Sequence, residues 1–148
     1  MTAYRALQFL PEGSAYAETL RGFGFGNHCT VLVAADEAAH RILGTITLEP
    51  FDPTSELARD DTEADVRAFA VAPQAQGLGV GRKLLLAVIE CAHKRGLRRL
   101  RLCTQPAMRT AQHLYEANGF ARTPDLDFDP VPGLTLRAYE LALPPLTR

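Results

Sequence analysis

Apolar and polar positions along this 148-residue chain alternate with a period of two in some stretches and near 3.6 in others, and the switches mark out its elements. Thr30–Ala35 (TVLVAA) is β-branched and apolar and predicts a strand. Asp36 and Glu37 turn the chain into Arg41–Leu48 (RILGTITL), whose alternation predicts a second, antiparallel strand. Pro50–Ala64 reads as a long polar loop with two prolines. Asp65–Val71 (DVRAFAV) predicts a third strand, stopped by Pro73. A glycine-rich run at 77–81 then opens an amphipathic helix with Val80, Leu84, Val88 and Ala92 on one face. Lys94 and Arg95 fill its last turn and Gly96 ends it, the charge and left-handed cap expected at a helix C-terminus. Arg99–Cys103 (RLRLC) predicts a strand with Leu100 and Leu102 pointing one way. Pro106 is expected in the first turn of a second helix running to about Asn118–Gly119. A short strand near Phe120 and a longer one at Leu134–Leu143 close the chain. Upstream of all these, a short helix is expected over Ala15–Arg21, and the glycines of 22–26 break regular structure. The order β-β-β-α-β-α-β-β implies an α/β class, a mixed sheet with helices on its faces.

Composition narrows the function classes. A length of 148 residues suits a single domain over 1–148, able to bury a core without metal or disulfide staples. A formal charge of −1 argues against nucleic-acid binding, which needs a basic stripe to displace counterions from phosphates. Apolar runs such as Leu84–Ile89 are far too short to span a bilayer, so no membrane partner is expected. No basic start followed by an apolar stretch opens the chain, and a cytoplasmic location is expected. Cys29, Cys91 and Cys103 are odd in number and without a Cys-x-x-Cys pair; they read as small buried hydrophobes. His28, His40, His93 and His113 lack helical i, i+4 partners, so no metal is expected. Asp125-Leu-Asp-Phe-Asp129 resembles the first half of a calcium loop, but Pro130 and Leu136 stand where glycine and glutamate are required. The oligomeric state is not legible; a homodimer is left open.

The segment Val71–Leu85 (VAPQAQGLGVGRKLL) carries the most chemical information. A strand runs into a glycine-dense turn that opens a helix. Glycine permits positive φ, and successive amides can converge at a helix N-terminus that carries about half a positive charge. Such a place suits a diphosphate, with Arg82 and Lys83 adding charge. A dinucleotide fingerprint fails on spacing: counting i, i+5 from Gly77 meets Arg82, and from Gly79 meets Leu84. A P-loop fails because Lys83 is preceded by Arg82 and followed by Leu84. What fits is Gln-x-x-Gly-x-Gly, as Gln76, Gly79 and Gly81.

That pattern resembles the CoA-binding motif of the GNAT superfamily of N-acetyltransferases, and the resemblance covers Asp65–Phe120. Ala111-Gln-His-Leu-Tyr-Glu-Ala-Asn-Gly-Phe120 is similar to the family's Ala-x-x-Leu-Tyr-x-x-x-Gly-Phe. Asp65–Val71 is similar to the family's fourth strand, with Asp65 where glutamate is usual; Met108 stands where many members have asparagine. The resemblance implies a mixed, mostly antiparallel sheet of about 6–7 strands, splayed between the fourth and fifth and flanked by about 3–4 helices. It implies acetyl-CoA as co-substrate, with the pantetheine arm on Phe69, Ala70 and Val71. The diphosphate would lie on Gln76, Gly77, Leu78, Gly79, Val80, Gly81 and Arg82, and the small Ala111 would let CoA lie close to Tyr115.

The implied reaction is direct acetyl transfer to a primary amine, a small molecule or alternatively a protein N-terminus or lysine. A non-catalytic acyl-CoA-binding module of the same fold is the rival reading. An alkylamine with a pKa of about 10 must lose a proton before it attacks, and the leaving thiolate is helped by an acid. As plain sequence a helical tyrosine is more often a core residue with its hydroxyl in water, but its place in the family motif makes Tyr115 the candidate acid. Asp65 is the candidate base, acting through water, with Glu63 as back-up; the bland alternative is an exposed carboxylate at a strand start or one paired with Arg67. Strand alternation would put Asp65, Arg67, Phe69 and Val71 on one face. An amide near Ala70 or Val71 would serve the thioester oxygen. The acidic loop (Asp52, Glu56, Asp60, Asp61, Glu63) reads as a solvated surface that can also attract cationic substrates.

Overall fold

The computed structural model describes residues 6–7, 29–36 and 38–145. The helix expected over Ala15–Arg21 and the glycine run at 22–26 lie outside these. The strands are β1 (Ala6–Leu7), β2 (Thr30–Asp36), β3 (Arg41–Pro50), β4 (Glu63–Val71), β5 (Arg99–Thr104), β6 (Ala121–Arg122), β7 (Phe128–Val131) and β8 (Leu134–Ala142). Two α-helices are described, α1 (Val80–Lys94) and α2 (Arg109–Ala117), fewer than the expected three or four. Hydrogen bonds order the strands β1-β2-β3-β4-β5-β8-β6, with β7 on β8. The sheet is mixed: β4 and β5 run parallel, whereas β1/β2, β2/β3, β5/β8, β6/β8 and β7/β8 are antiparallel. The class is α/β, as expected.

The chain divides into two compact units, each described here by itself. In the first, drawn from Met1–Pro50 and Val66–Cys91, Val31–Ala34 of β2 and residues 43–48 of β3 are buried. Helix α1 turns Val80, Leu84, Leu85 and Val88 inward. Each such fully buried aliphatic stabilises by about 1.5–3 kcal/mol relative to exposure. The β2/β3 ladder steps from Ala34↔Gly44 to Ala35↔Ile42, so Leu43 is an extra residue on β3, a bulge.

The second unit comprises Phe51–Asp65 and Ala92–Arg148. Helix α1 ends here on Gly96 at φ 75°, with Gly96 N donating to His93 O and Leu97 N to Ala92 O, a Schellman cap. Helix α2 ends the same way: Gly119 at φ 93°, Gly119 N to Glu116 O and Phe120 N to Tyr115 O. Leu100, Leu102, Tyr115, Phe120, Ala138 and Tyr139 form the core.

Four sequence expectations need correction. The loop is shorter than 50–64, since Pro50 ends β3 and Glu63 already starts β4, and it is not wholly solvated: Leu57 and Ala58 are buried. Pro106 precedes α2 rather than opening it. The Gln112 side-chain amide donates to Gln105 O and Pro106 O, so these carbonyls are satisfied in a turn and the helix starts at Arg109. Strand β7 was not expected; it contains Pro130, which on a sheet edge costs no ladder bond. The cysteines form no disulfide among the described residues and are half-buried rather than buried.

Candidate functional site

In the first unit β4 leads through Pro73–Ala75, a single 3₁₀ turn, to the glycine-rich run. Ala75 N donates to Ala72 O, Gln76 N to Pro73 O and Leu78 N to Ala75 O, and so the chain is wound tightly before the helix. Gly77 and Gly79 both sit at φ 81°, and a Cβ on either would meet nothing within 4 Å. Glycine is therefore required here by backbone conformation and not by crowding. The first helical bond runs from Lys83 N to Gly79 O. The amides of Val80, Gly81 and Arg82 precede that bond, the group of donors a helix leaves unused at its N-terminus. Gln76, Gly77, Leu78, Gly79 and Arg82 are exposed, while Val80 anchors the turn in the core. This arrangement fits a diphosphate bound by backbone amides with Arg82 alongside.

The pantetheine segment lies just upstream in the same unit. Ala68 takes φ 50°, a left-handed conformation rare for a residue with a Cβ. The expectation that Asp65, Arg67, Phe69 and Val71 share one face therefore fails, because strand alternation does not survive a residue of that conformation. Beyond it Phe69 and Val71 are half-buried and Ala70 is exposed. The Thr45 hydroxyl donates to Ala68 O at 3.1 Å and Ala72 N donates to Leu43 O at 2.7 Å. Arg67 lies 4.0 Å from Glu49. Gly44 and Thr45 carried no functional reading in the sequence, although an isolated glycine inside a strand signals close backbone approach.

Tyr115, Ala111 and Asp65 belong to the second unit. Tyr115 is buried, its ring centroid 5.9 Å from those of Phe120 and Tyr139 in tilted geometry. Burial, then the proximity of Cys103 and Tyr139, pushes its hydroxyl up to about 12. Arg122 also lies over Tyr139, its Cζ 5.4 Å from the ring centroid. Arg122 in turn makes two 2.8 Å bonds to the Asp127 carboxylate, which also accepts Ala138 N at 2.7 Å. These bonds, Arg122 first, hold the Asp127 carboxyl at about 2. With Asp127 so engaged and Asp129 accepting the Thr135 hydroxyl, these two aspartates hold local structure. Among the described residues no group of three or more His, Cys, Asp or Glu is placed to hold a metal.

The two candidate bases are not at an exposed strand start. Asp65 is 1% exposed, and its oxygens accept Ala58 N at 2.8 Å and Leu57 N at 3.2 Å. Glu63 accepts Arg59 N at 2.8 Å and pairs with Arg101 at 2.7 Å and Arg99 at 3.2 Å. Arg101 also donates to Leu57 O. Both carboxylates thus fasten the 57–59 loop onto β4, a role that no spacing in the sequence reveals.

The family model described as Acetyltransferase (GNAT) family matches residues 3–120. A mycothiol acetyltransferase of Cellulomonas flavigena is 33% identical over 95 residues, which cover 62% of this chain and 27% of that protein. The chain thus spans about a quarter of the length of that curated relative. Among solved structures, an IAA acetyltransferase from Bacillus cereus superposes with TM-score 0.69 at 17% identity, covering 95% of this chain and 100% of the other. The ribosomal-protein-S18-alanine N-acetyltransferase of Escherichia coli gives 0.67 at 20% identity, over 97% and 84%. At these identities the structural likeness speaks for the fold.

Proposed function

Because the chain belongs to the acetyltransferase (GNAT) family, we propose that it moves an acetyl group from acetyl-CoA to a primary amine of a small molecule, both substrates being bound together. The observation that carries this reading is the turn in which Gly77 and Gly79 adopt positive φ ahead of the unused amides of Val80–Arg82. An anionic diphosphate is favoured there by the helix dipole and by amide donors fixed in advance. The pantetheine arm would pair with the backbone of Phe69–Val71.

In this reading Tyr115 serves the leaving thiolate. Its hydroxyl, pushed up to about 12, stays protonated throughout the working range. A thiol ionises near 8.5, so full proton transfer from Tyr115 to the thiolate is uphill by roughly 3–4 units. Tyr115 therefore acts as a hydrogen-bond donor to the developing charge, and the thiolate takes its proton later from solvent. The amine is relieved of its proton through water, with Asp65 as the terminal acceptor. Both Asp65 oxygens already hold loop amides, so Asp65→Asn separates base from anchor. A base role predicts kcat lowered by about 10²-fold with little change in stability. An anchor role predicts a loss of about 1.5–3 kcal/mol in unfolding free energy and near-normal kcat in the folded fraction.

Isothermal titration with acetyl-CoA tests the proposal directly. Saturable binding is expected, followed by free-thiol release when a panel of amines is added. Absence of heat at millimolar acetyl-CoA would end the reading.

A further inference from the structure

We propose that Thr45, together with Leu43 and Gly44, positions the bulged end of β4 for the CoA arm; this rests on the reading that Phe69–Val71 pair with that arm. The starting point is Ala68. A residue with a Cβ at φ 50° inside a strand persists only where its surroundings hold it there. Three consecutive residues of β3 do so, each by a different means.

Thr45, 1% exposed, donates its hydroxyl to Ala68 O at 3.1 Å and so takes up a carbonyl of the bulge. Leu43, itself the bulged residue of β3, turns its carbonyl to Ala72 N at 2.7 Å, just past the end of β4. Between them Gly44 has no side chain. A Cβ there would stand 2.8 Å from Ala70 O, 2.9 Å from Leu84 Cδ1 and 3.2 Å from Val80 Cγ1. Its absence therefore admits three neighbours at once: the backbone of the arm-binding segment and two residues in the first turns of α1. Contacts to residues 68, 70 and 72 bracket Phe69–Val71, and those to Val80 and Leu84 tie the same short piece of β3 to the helix that opens the diphosphate turn.

The consequence is positional. The Thr45 hydroxyl is committed inside the protein, to Ala68 O. What it sets is the direction of the backbone groups beyond Ala68. With the hydroxyl removed, Ala68 O loses a buried partner and the bulge loses the bond that distinguishes it from an ordinary strand. Released toward regular alternation, Phe69–Val71 would present different groups to the ligand.

The experiment uses the whole protein and measures acetyl-CoA affinity by titration, thermal midpoint, and amide hydrogen exchange over 68–71. Thr45→Val keeps the shape and deletes the donor. It is expected to fold, to weaken acetyl-CoA binding at least about tenfold, and to raise exchange at 68–71. Thr45→Ser restores the donor and should return affinity to within about threefold of the parent. Gly44→Ala is expected to reproduce the loss of affinity, because the backbone oxygen of Ala70 must move. Binding by Thr45→Val equal to that of a parent protein that does bind would overturn this inference alone. Loss of affinity that Thr45→Ser does not restore would likewise overturn it, marking Thr45 as packing only. A parent protein that fails to bind acetyl-CoA would instead bring down the CoA reading and this inference with it.

Discussion

Replacing Tyr115 by phenylalanine is expected to lower kcat at least about tenfold while leaving acetyl-CoA affinity within about twofold. The substitution removes one oxygen and keeps the ring, so the contacts at 5.9 Å to Phe120 and Tyr139 persist and the fold is not the variable. A donor that strengthens only as the thiolate forms contributes to the transition state and not to the bound substrate, which is why the effect falls on kcat. The pH profile adds a second reading. Burial raises the hydroxyl from the ordinary 10 to about 12, so it neither ionises nor loses its donor below about pH 11. An alkaline limb between pH 8 and 10 would belong to another group, and Tyr115→Phe should retain it. Stability follows the same sign: a raised folded-state pKa gives a contribution fully present below pH 10 and lost as pH rises through about 12, so the variant should show the parent's pH dependence of unfolding around neutrality. Full activity in the variant would remove Tyr115 from the mechanism.

The parts of this structure that could be read from the sequence are those governed by local rules. The face Val80, Leu84, Val88, Ala92 is buried as its spacing requires, and Gly96 and Gly119 close their helices at positive φ. Gly77 and Gly79 were legible for the same reason, since a turn of that density needs left-handed residues whatever surrounds it. What escaped was set by partners distant in sequence. Nothing near Asp65 announces that the amides of Leu57 and Ala58 will fold back onto it, and nothing near Glu63 announces Arg101, 38 positions on. Ala68 is the clearest case. Alanine has no preference for φ 50°, and the conformation is set by β3 through Thr45 and Leu43. One non-local bulge was enough to upset an alternation argument sound for a regular strand. Tyr115 could be placed on the second helix from its spacing, but its surroundings, with Tyr139 held by Arg122 and Asp127, come from β8 and the 122–127 turn.

Gly79→Val is the substitution expected to damage binding most. Gly79 sits at φ 81° and a Cβ there would meet nothing within 4 Å, so the cost of a β-branched residue is chiefly conformational. A left-handed conformation costs a residue with a Cβ about 1–2 kcal/mol, and a β-branched one more, so the turn is expected to refold locally and not to bear the strain. Refolding swings the amides of Val80, Gly81 and Arg82 away from one another. Loss of two charge-assisted bonds to a diphosphate, each worth about 1.5–3 kcal/mol, corresponds to a rise in the dissociation constant for acetyl-CoA of at least about 100-fold. Gly79→Asn should be milder, since asparagine tolerates the left-handed region. Gly96 supplies the control: it too has positive φ, 75°, and open space, but it caps the other end of α1. Gly96→Val should lower the thermal midpoint through the same conformational cost and leave acetyl-CoA affinity intact. Equal loss of affinity in both variants would mean that helix α1 had merely been destabilised. Loss confined to Gly79→Val places the diphosphate on the turn, because the two substitutions impose the same backbone penalty and differ only in which amides they move.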